Sequence, residues 1–325
     1  MDVCVIGLGY IGLPLSAVLA RCGHRVRGVD IDREVLQNIR SGQLPGLEPS
    51  LGEAIGTALA SGSLDAAEAP SRADVYIVAV PTPLDGGRRA ELSHVEKAID
   101  SIAPFLQAGS LVVIESTVPV GTTERMAARL AGKRTDLAPG NESPSFFMAH
   151  CPERVLPGKI FEELVGLDRV VGGIDPESTA RAADFYSSFV KGQIHRTDVR
   201  TAEMCKLVEN ASRDVSIAFA NEVSMLCALG GVDSSNLIRL ANRHPRVNIM
   251  EPGPGVGGHC IPVDPWFLVQ SAPEETRLIR SAREVNERKT EWVLERIAEA
   301  ARRFENPVVA CLGLAYKANV NDLRE

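Results

Sequence analysis

The sequence predicts an α/β protein with an N-terminal Rossmann-like parallel sheet, a central domain built on long helices, and the start of a second α/β domain. Short apolar runs alternate with amphipathic segments over the first 198 residues, which is typical of βαβ units. From Thr201 to Leu229 the chain has neither glycine nor proline, which predicts a long helix. After Pro307 a short apolar run predicts another strand, like those of the first 198 residues.

The predicted elements follow this pattern in chain order. Buried strands are predicted at Val3–Ile6, Arg25–Val29, Val75–Val80, Leu111–Ile114, Phe146–Ala149 and Arg169–Gly172. Helices are predicted at Leu13–Arg21, Arg33–Ser41, Ser93–Phe105, Thr201–Leu229 and Glu274–Ala301, and a last strand at Val308–Leu312. We therefore expect a Rossmann-like domain over residues 1–198, a helical central domain over 199–303, and the beginning of a further domain over 304–325.

Length, composition and charge limit the class of protein. The chain has 325 residues, 45% hydrophobic and 24% charged, as expected for a globular protein of two domains and a fragment of a third. Its net charge of −7 disfavours nucleic-acid binding, and no apolar run is long enough to span a membrane. Because the first strand starts at Val3, we expect no signal peptide and a cytoplasmic location.

The seven cysteines are odd in number and widely scattered. They contain no CxxC pair, so we expect reduced thiols and no metal site. Cys260 differs from the others because it lies in a loop rich in glycine and proline, where backbone can approach a substrate closely. Cys151, directly before Pro152 and Glu153, is the competing candidate for a reactive thiol.

A glycine-rich turn follows the first predicted strand. Gly7, Gly9 and Gly12 form a GxGxxG pattern, with Tyr10 and Ile11 between the last two glycines. In a βαβ unit the first glycine permits a tight turn, the second lets a pyrophosphate approach the backbone, and the third lets the helix pack on the strand. The N–H groups at the start of the following helix attract phosphates. The turn therefore predicts a dinucleotide site.

Further cofactor contacts are predicted where strands end. Asp30 ends the second strand, 18 residues beyond Gly12, at the place where an acidic group binds ribose hydroxyls. A carboxylate there repels a 2′-phosphate and favours NAD over NADP, although nearby Arg33 leaves the choice open. Thr82 and Thr117 follow buried strands at the edge where open α/β sheets bind ligands. Turn or helix-cap chemistry would also explain these threonines.

Polar residues on the long helix are a second group of candidates. Lys206 and Asn210 are one helical turn apart, and Arg213 follows three residues later, so the three share one face. A solvated polar stripe would look the same, but apolar residues surround this helix more completely than a surface helix requires. A buried lysine there would stabilise an oxyanion or a thiolate.

Six segments together identify a family. They read GLGYIGLPL, STVPVGTT, CPERVLPG, EMCKLVENASRDVSIAFANE, PGPGVGGHCIPVDPWF and GLAYKANVNDLRE, and they span nearly the whole chain in order. The sequence resembles the UDP-glucose/GDP-mannose dehydrogenases, which oxidise the primary alcohol of a nucleotide sugar to a carboxylate. Its RHPRVNI and GGHC segments are most similar to the branch of that family that converts UDP-N-acetyl-D-mannosamine to UDP-N-acetyl-D-mannosaminuronate.

The resemblance implies a four-electron oxidation that uses two NAD⁺. Cys260 would add to an aldehyde intermediate and form a thiohemiacetal and then a thioester. Lys206 and Asn210 would act at the C6 oxygen, and either Asp264 or Glu153 would activate the hydrolytic water. The catalytic candidates are Cys260, Lys206, Asn210, Asp264, Glu153 and Thr117.

Substrate contacts and a partner are implied in the same way. The substrate-binding candidates are Arg154, Val155, Lys206, Asn210, Arg213, His244, Arg246, Gly257, Tyr316 and Lys317, and Arg324 would contact NAD. The long helix would form a homodimer, across which Arg246 would reach. Residues 304–325 would begin the UDP-binding domain that family members carry after the DLRE segment.

Other functions are compatible with parts of this pattern. A UDP-glucose or UDP-N-acetylglucosamine 6-dehydrogenase would use the same mechanism. A β-hydroxyacid dehydrogenase shares the architecture and needs a lysine and an asparagine but no cysteine, so the Cys260 loop disfavours it. The third alternative is a truncated NAD-binding protein without catalysis, which the retention of Cys260, Lys206 and Asp264 disfavours.

Overall fold

Eight strands form one sheet in the computed structural model, which describes residues 1–43, 49–137, 145–155, 160–258, 260–313 and 315. The strands are β1 Asp2–Ile6, β2 Arg25–Val29, β3 Leu64–Ala67, β4 Val75–Val78, β5 Leu111–Ile114, β6 Phe147–His150, β7 Arg169–Gly173 and β8 Ile194–Asp198. Their order in the sheet is β3-β2-β1-β4-β5-β6-β7-β8. The order reverses direction between β1 and β4, which is where doubly wound sheets bind dinucleotides.

The helices lie between and after these strands. They are α1 Gly12–Arg21, α2 Arg33–Ser41, α3 Pro49–Ala60, α4 Ser93–Ile102, α5 Thr122–Lys133, α6 Ile160–Gly166, α7 Pro176–Ser187, α8 Val199–Gly230, α9 Ser234–Ala241, α10 Asp264–Ser271 and α11 Arg277–Ala301. Two short 3₁₀ turns follow α4 and α5, at Ala103–Phe105 and Thr135–Leu137. No helix in the described part of the chain is both long enough and apolar enough to cross a bilayer.

Alternate residues of the strands enter two separate apolar cores. Val3 and Val5 of β1 lie in one core, and Cys4 and Ile6 lie in the other. Successive side chains of a strand point to opposite faces, so both faces of the sheet are buried. This burial explains why the central strands read as uninterrupted apolar runs.

Both edge strands and one strand direction go beyond the sequence-based prediction. β3 and β8 were not predicted, because an edge strand needs less apolar character than a central one. The predicted Rossmann-like parallel sheet is confirmed: all neighbouring strands are parallel except β6 and β7, which are antiparallel. An apolar run indicates burial and carries no information about strand direction.

The chain divides into two compact units, Met1–Lys206 and Leu207–Glu325, and the division falls within α8. The predicted long helix is confirmed, and Gly231 follows it with a positive φ of 65°, as is typical after a helix end. The predicted strand Val308–Leu312 was wrong: it pairs with no strand among the described residues, and Val308 is 95% exposed. The domain boundaries at 198 and 303 stay predictions.

Candidate active site

The glycine turn between β1 and α1 has two glycines that the fold itself requires. Gly7 has a φ of +96°, and a Cβ placed there would lie 2.4 Å from the carbonyl oxygen of Ala79. A Cβ at Gly12 would lie 1.8 Å from the carbonyl oxygen of Gly7. At Gly9, by contrast, a Cβ would meet no atom within 4 Å, and no side chain caps the N–H groups that start α1. Open space beside Gly9 at the start of this helix fits a pyrophosphate.

This contrast predicts different outcomes for two equivalent substitutions. Gly12→Ala should lower the melting temperature and the yield of folded protein, because the new methyl group would overlap the backbone of Gly7. Gly9→Ala should leave the melting temperature unchanged and raise the KM for NAD⁺ by about tenfold, because the methyl group would occupy the cofactor's approach. Thermal unfolding and steady-state kinetics measure the two effects. A Gly9→Ala enzyme with normal NAD⁺ kinetics would contradict this role.

Asp30 lies at the end of β2 with a fixed orientation. Its Oδ2 atom accepts a hydrogen bond from the N–H of Leu8 at 2.8 Å, and its Oδ1 atom accepts one from the N–H of Asp32 at 2.9 Å. Arg33 forms an exposed ion pair with Glu68 at 3.3 Å. The positive charge that would favour a 2′-phosphate is therefore paired with a carboxylate, and this arrangement favours NAD.

The turns after β4 and β5, which are predicted to contact the cofactor, are joined by hydroxyl groups. Thr82 Oγ1 donates to the carbonyl oxygen of Thr117 at 2.7 Å. The buried Ser116 hydroxyl accepts from the N–H of Val80 at 2.9 Å and donates to the Val80 carbonyl oxygen at 2.8 Å. Ser116 was not predicted as a site residue, although it stands in the STVPVGTT segment beside Thr117.

Glu203 fixes the start of α8 against the N-terminus of α5. Its carboxylate is fully buried and accepts from the N–H of Gly121 at 2.6 Å, the N–H of Thr123 at 2.8 Å and the Thr123 hydroxyl at 2.6 Å. Burial raises the pKa of Glu203 above its usual value. Lys206 follows three residues later and is half-buried, so Glu203 also sets the position of the turn that carries Lys206.

Both carboxylate oxygens of Glu153 are engaged. Oε1 accepts from the N–H groups of Arg154 and Val155, each at 2.6 Å, and Oε2 lies 3.3 Å from Nη1 of Arg169. Arg169 itself is only 1% exposed. Glu153 therefore shapes the backbone on which the substrate candidates Arg154 and Val155 stand.

Cys151 lies in a buried polar cluster with Glu115 and Tyr186. The Tyr186 hydroxyl donates to Oε1 of Glu115 at 2.5 Å, and burial raises the pKa of Glu115 to about 7. Burial also raises the pKa of the Cys151 thiol to about 12. A fully buried thiol that stays protonated at neutral pH is a poor nucleophile, which disfavours Cys151 in favour of Cys260.

In the second unit, Asn210, Asp264 and Cys260 come together at the start of α10. The N–H of Asp264 donates to the carbonyl oxygen of Cys260 at 2.9 Å. Asn210 Nδ2 donates to Oδ2 of Asp264 at 2.6 Å, and both of these side chains are buried. Cys260 is exposed, and Gly257 precedes it in the same loop. The unit therefore presents an accessible thiol one turn from a buried carboxylate–amide pair.

The predicted substrate residues of the segment after α9 lie on an exposed loop. Asn242 holds the ends of this loop together: its Nδ2 donates to the carbonyl oxygen of Ile249 at 2.9 Å, and its Oδ1 accepts from the Ile249 N–H at 2.7 Å. His244 and Arg246 stand between them and are exposed, as is Arg213 on α8. Asn242 was not among the predicted site residues. The candidates Tyr316, Lys317 and Arg324 lie outside the described residues.

Two models of one protein family match this sequence. The NAD binding domain of the UDP-glucose/GDP-mannose dehydrogenase family matches residues 1–190. The central domain of the same family matches residues 200–288. Together the two matches include every catalytic candidate.

Individual proteins are similar over nearly the whole chain. An NDP-N-acetyl-D-galactosaminuronic acid dehydrogenase from Ralstonia nicotianae is 53% identical over 99% of this chain and 77% of its own length. A UDP-N-acetyl-D-mannosamine dehydrogenase from Salmonella typhimurium is 50% identical over 99% of this chain and 80% of its own. The solved UDP-N-acetyl-mannosamine dehydrogenase of Staphylococcus aureus is 40% identical, with a TM-score of 0.90 over 100% of this chain and 77% of that chain.

Proposed function

The chain belongs to the UDP-glucose/GDP-mannose dehydrogenase family, and on that premise we propose that it converts UDP-N-acetyl-D-mannosamine to UDP-N-acetyl-D-mannosaminuronate. It is an NAD-dependent UDP-sugar dehydrogenase. The accessible thiol of Cys260 beside the buried Asn210–Asp264 pair carries the proposal, because a four-electron oxidation needs a nucleophile that can hold the aldehyde. A single-hydride β-hydroxyacid dehydrogenase has no use for this thiol.

The residues of the first unit hold the cofactor and act in the first oxidation. The turn around Gly9 and the carboxylate of Asp30 would hold NAD⁺, which would supply the hydride acceptor for both oxidations. In the first oxidation the C6 hydroxyl loses its proton and the C6 carbon loses a hydride, which gives an aldehyde. Lys206 is the proposed group for proton exchange at the C6 oxygen and for stabilising its negative charge.

The second oxidation passes through a covalent bond to Cys260. The thiolate adds to the aldehyde carbon, and the oxyanion of the resulting thiohemiacetal is stabilised by Lys206 and Asn210. Loss of a second hydride leaves a thioester. Water then attacks the thioester carbon, the C–S bond breaks, and the acid and the thiolate are released. Asp264 and Glu153 are the two carboxylates proposed to activate this water.

The sugar specificity is tested by measuring NADH formation with UDP-N-acetylmannosamine, UDP-N-acetylgalactosamine, UDP-N-acetylglucosamine and UDP-glucose. We expect two NADH per UDP-N-acetylmannosamine and a kcat/KM at least about tenfold higher than for the other sugars, equal to about 1.4 kcal/mol in transition-state binding. A higher value for UDP-N-acetylgalactosamine would move the assignment to the sugar type named for the Ralstonia relative. One NADH per sugar, with aldehyde accumulating, would contradict the thioester mechanism.

A homodimer and a cytoplasmic location belong to the same proposal. Val208, Phe219 and Leu226 of α8 are exposed apolar residues in steps of eleven and seven, which return to nearly the same side of a helix with 3.6 residues per turn. An apolar stripe of this kind suits a second copy of the chain, and sedimentation equilibrium would show a dimer. None of the seven cysteines forms a disulfide, which suits a reducing compartment.

A further inference from the structure

We propose that a buried polar network between α8 and α11 positions the loop that carries Cys260, and that Asn221 is the positioning residue through which it acts. This role rests on the proposed thioester chemistry, because it concerns how the nucleophile of that chemistry is held.

The network links four side chains on the two helices. Arg283 Nη1 donates to Oδ1 of Asp214 at 2.7 Å, and Asn286 Nδ2 donates to the same oxygen at 2.8 Å. Asn286 Oδ1 in turn accepts from Nδ2 of Asn221 at 2.9 Å. All four residues are buried, with at most 4% of each exposed. Each link therefore operates away from water, where a hydrogen bond is stronger and its loss more costly.

The network ends on the backbone of the loop that carries Cys260. Oδ1 of Asn221 accepts from the N–H of Gly253 at 2.9 Å, so both polar atoms of the Asn221 amide are used. Gly255, two residues further, packs directly on α11, since a Cβ there would lie 2.3 Å from Oγ1 of Thr290. The first part of the loop is therefore fixed against both helices that carry the network.

The same face of α8 holds the other end of the loop. Asn210 binds Asp264, which follows Cys260 by one turn, and Asn221 binds Gly253, which precedes it. Eleven residues separate the two asparagines, close to three full helical turns, so they lie on one face about 16 Å apart. Cys260 thus stands on a segment attached at both ends to a single rigid element, which limits how far its thiol can move from the reacting carbon. A misplacement of about 1 Å can cost roughly 10²-fold in rate.

The chain offers a matched control on the same two helices. Lys289 of α11 donates from Nζ to the hydroxyl of Ser224 on α8 at 2.6 Å, and both side chains are buried. Ser224 and Lys289 each follow a network residue, Asn221 and Asn286, by three positions. In contrast to Asn221, Ser224 has no hydrogen bond to the loop among the described residues. Ser224→Ala therefore removes this buried contact between α8 and α11 and the bond from the Ser224 hydroxyl to the Asn221 carbonyl oxygen within α8, but it leaves the bond from Gly253 to the Asn221 side chain in place.

The test compares Asn221→Ala, Asn221→Ser and Ser224→Ala in the full chain by amide hydrogen exchange and by steady-state kinetics. We expect exchange in the peptide 253–264 to rise at least about tenfold in both Asn221 variants and to stay at the wild-type rate in Ser224→Ala. We also expect kcat to fall about tenfold or more in the Asn221 variants, with the KM for NAD⁺ unchanged. Asn221→Ser makes the smaller change and is the variant to use if Asn221→Ala does not fold.

Two outcomes would overturn the positioning role. One is loop exchange that rises equally in the Asn221 and Ser224 variants or in neither, since the network would then have no specific effect on the loop. The other is an Asn221 variant with faster loop exchange and an unchanged kcat. Hydrogen exchange needs no substrate, so a wild-type protein without UDP-sugar activity would refute the proposed function, while the exchange data would still decide whether Asn221 holds the loop.

Discussion

Replacing Cys260 with serine should abolish the second oxidation and slow steady-state NADH formation by about 10³-fold or more. A serine hydroxyl at neutral pH is almost entirely protonated and is a far weaker nucleophile than a cysteine thiol, which is partly ionised. Its ester would also release an alkoxide less readily than a thioester releases a thiolate. The aldehyde from the first oxidation should therefore return to alcohol or leave the enzyme. NADH absorbance measures the slower turnover. Mass spectrometry of the peptide that carries residue 260 shows whether a covalent sugar intermediate still forms there.

The control for this substitution is Cys22→Ser. Cys22 is exposed like Cys260, but it lies at the end of α1 and outside every catalytic motif. It should keep the wild-type rate and a ratio of two NADH per sugar. Full four-electron turnover by Cys260→Ser would exclude Cys260 as the nucleophile, and a sugar adduct on Cys151 in that variant would transfer the role to Cys151.

Arg169→Met should lower the free energy of unfolding by about 3–5 kcal/mol, the usual cost of removing one partner of a buried ion pair. The Arg169 side chain is 1% exposed and pairs with Glu153, whose side chain is 11% exposed. Methionine fills much of the same volume but leaves the Glu153 carboxylate without a counter-charge. The positive charge of Arg169 also opposes the rise in the pKa of Glu115 that burial causes, so the change should raise that pKa further. Chemical denaturation measures the loss.

Two further variants identify the cause of this loss. Arg25→Met removes an arginine from β2 of the same sheet whose ion pair with Asp2 is 2.6 Å long but whose side chain is 80% exposed. It should change stability very little, because solvent screens such pairs. Adding Glu153→Gln to Arg169→Met removes the uncompensated charge and should recover part of the loss. If Arg169→Met is no less stable than Arg25→Met, the buried pair is not a stabilising element.

The elements that could be predicted from sequence are those whose pattern is local. The glycine turn, the central strands and the helix from Val199 to Gly230 each carry their signal within a continuous segment. The antiparallel direction of β7 and the edge strand β8 depend on pairing with other strands, which no local pattern records. Val308–Leu312 has the local apolar pattern of a strand but is exposed and forms none. An apolar run becomes a strand only where a neighbouring strand accepts its hydrogen bonds.

The same distinction applies to the candidate active site. Cys260, Lys206 and Asp264 could be selected because their residue types suit the chemistry and stand in recognisable motifs. Glu203 and Asn221 were missed because a polar residue on a helix usually faces water. Their partners lie far away in sequence: Glu203 binds Thr123, 80 positions earlier, and Asn221 binds Asn286, 65 positions later. Only the folded structure brings such pairs together.

The edge strand β8 has a consequence for how the protein behaves in crowded solution. In the described part of the chain it pairs only with β7, so its outer side offers backbone groups to which another chain could add. On this strand, His195 lies within hydrogen-bond distance of the exposed Asp168 carboxylate, and Arg196 forms an exposed ion pair with Asp184. An incoming strand would have to bring these charges into contact with its own side chains, which is unfavourable. The sheet is thereby protected against edge-to-edge aggregation.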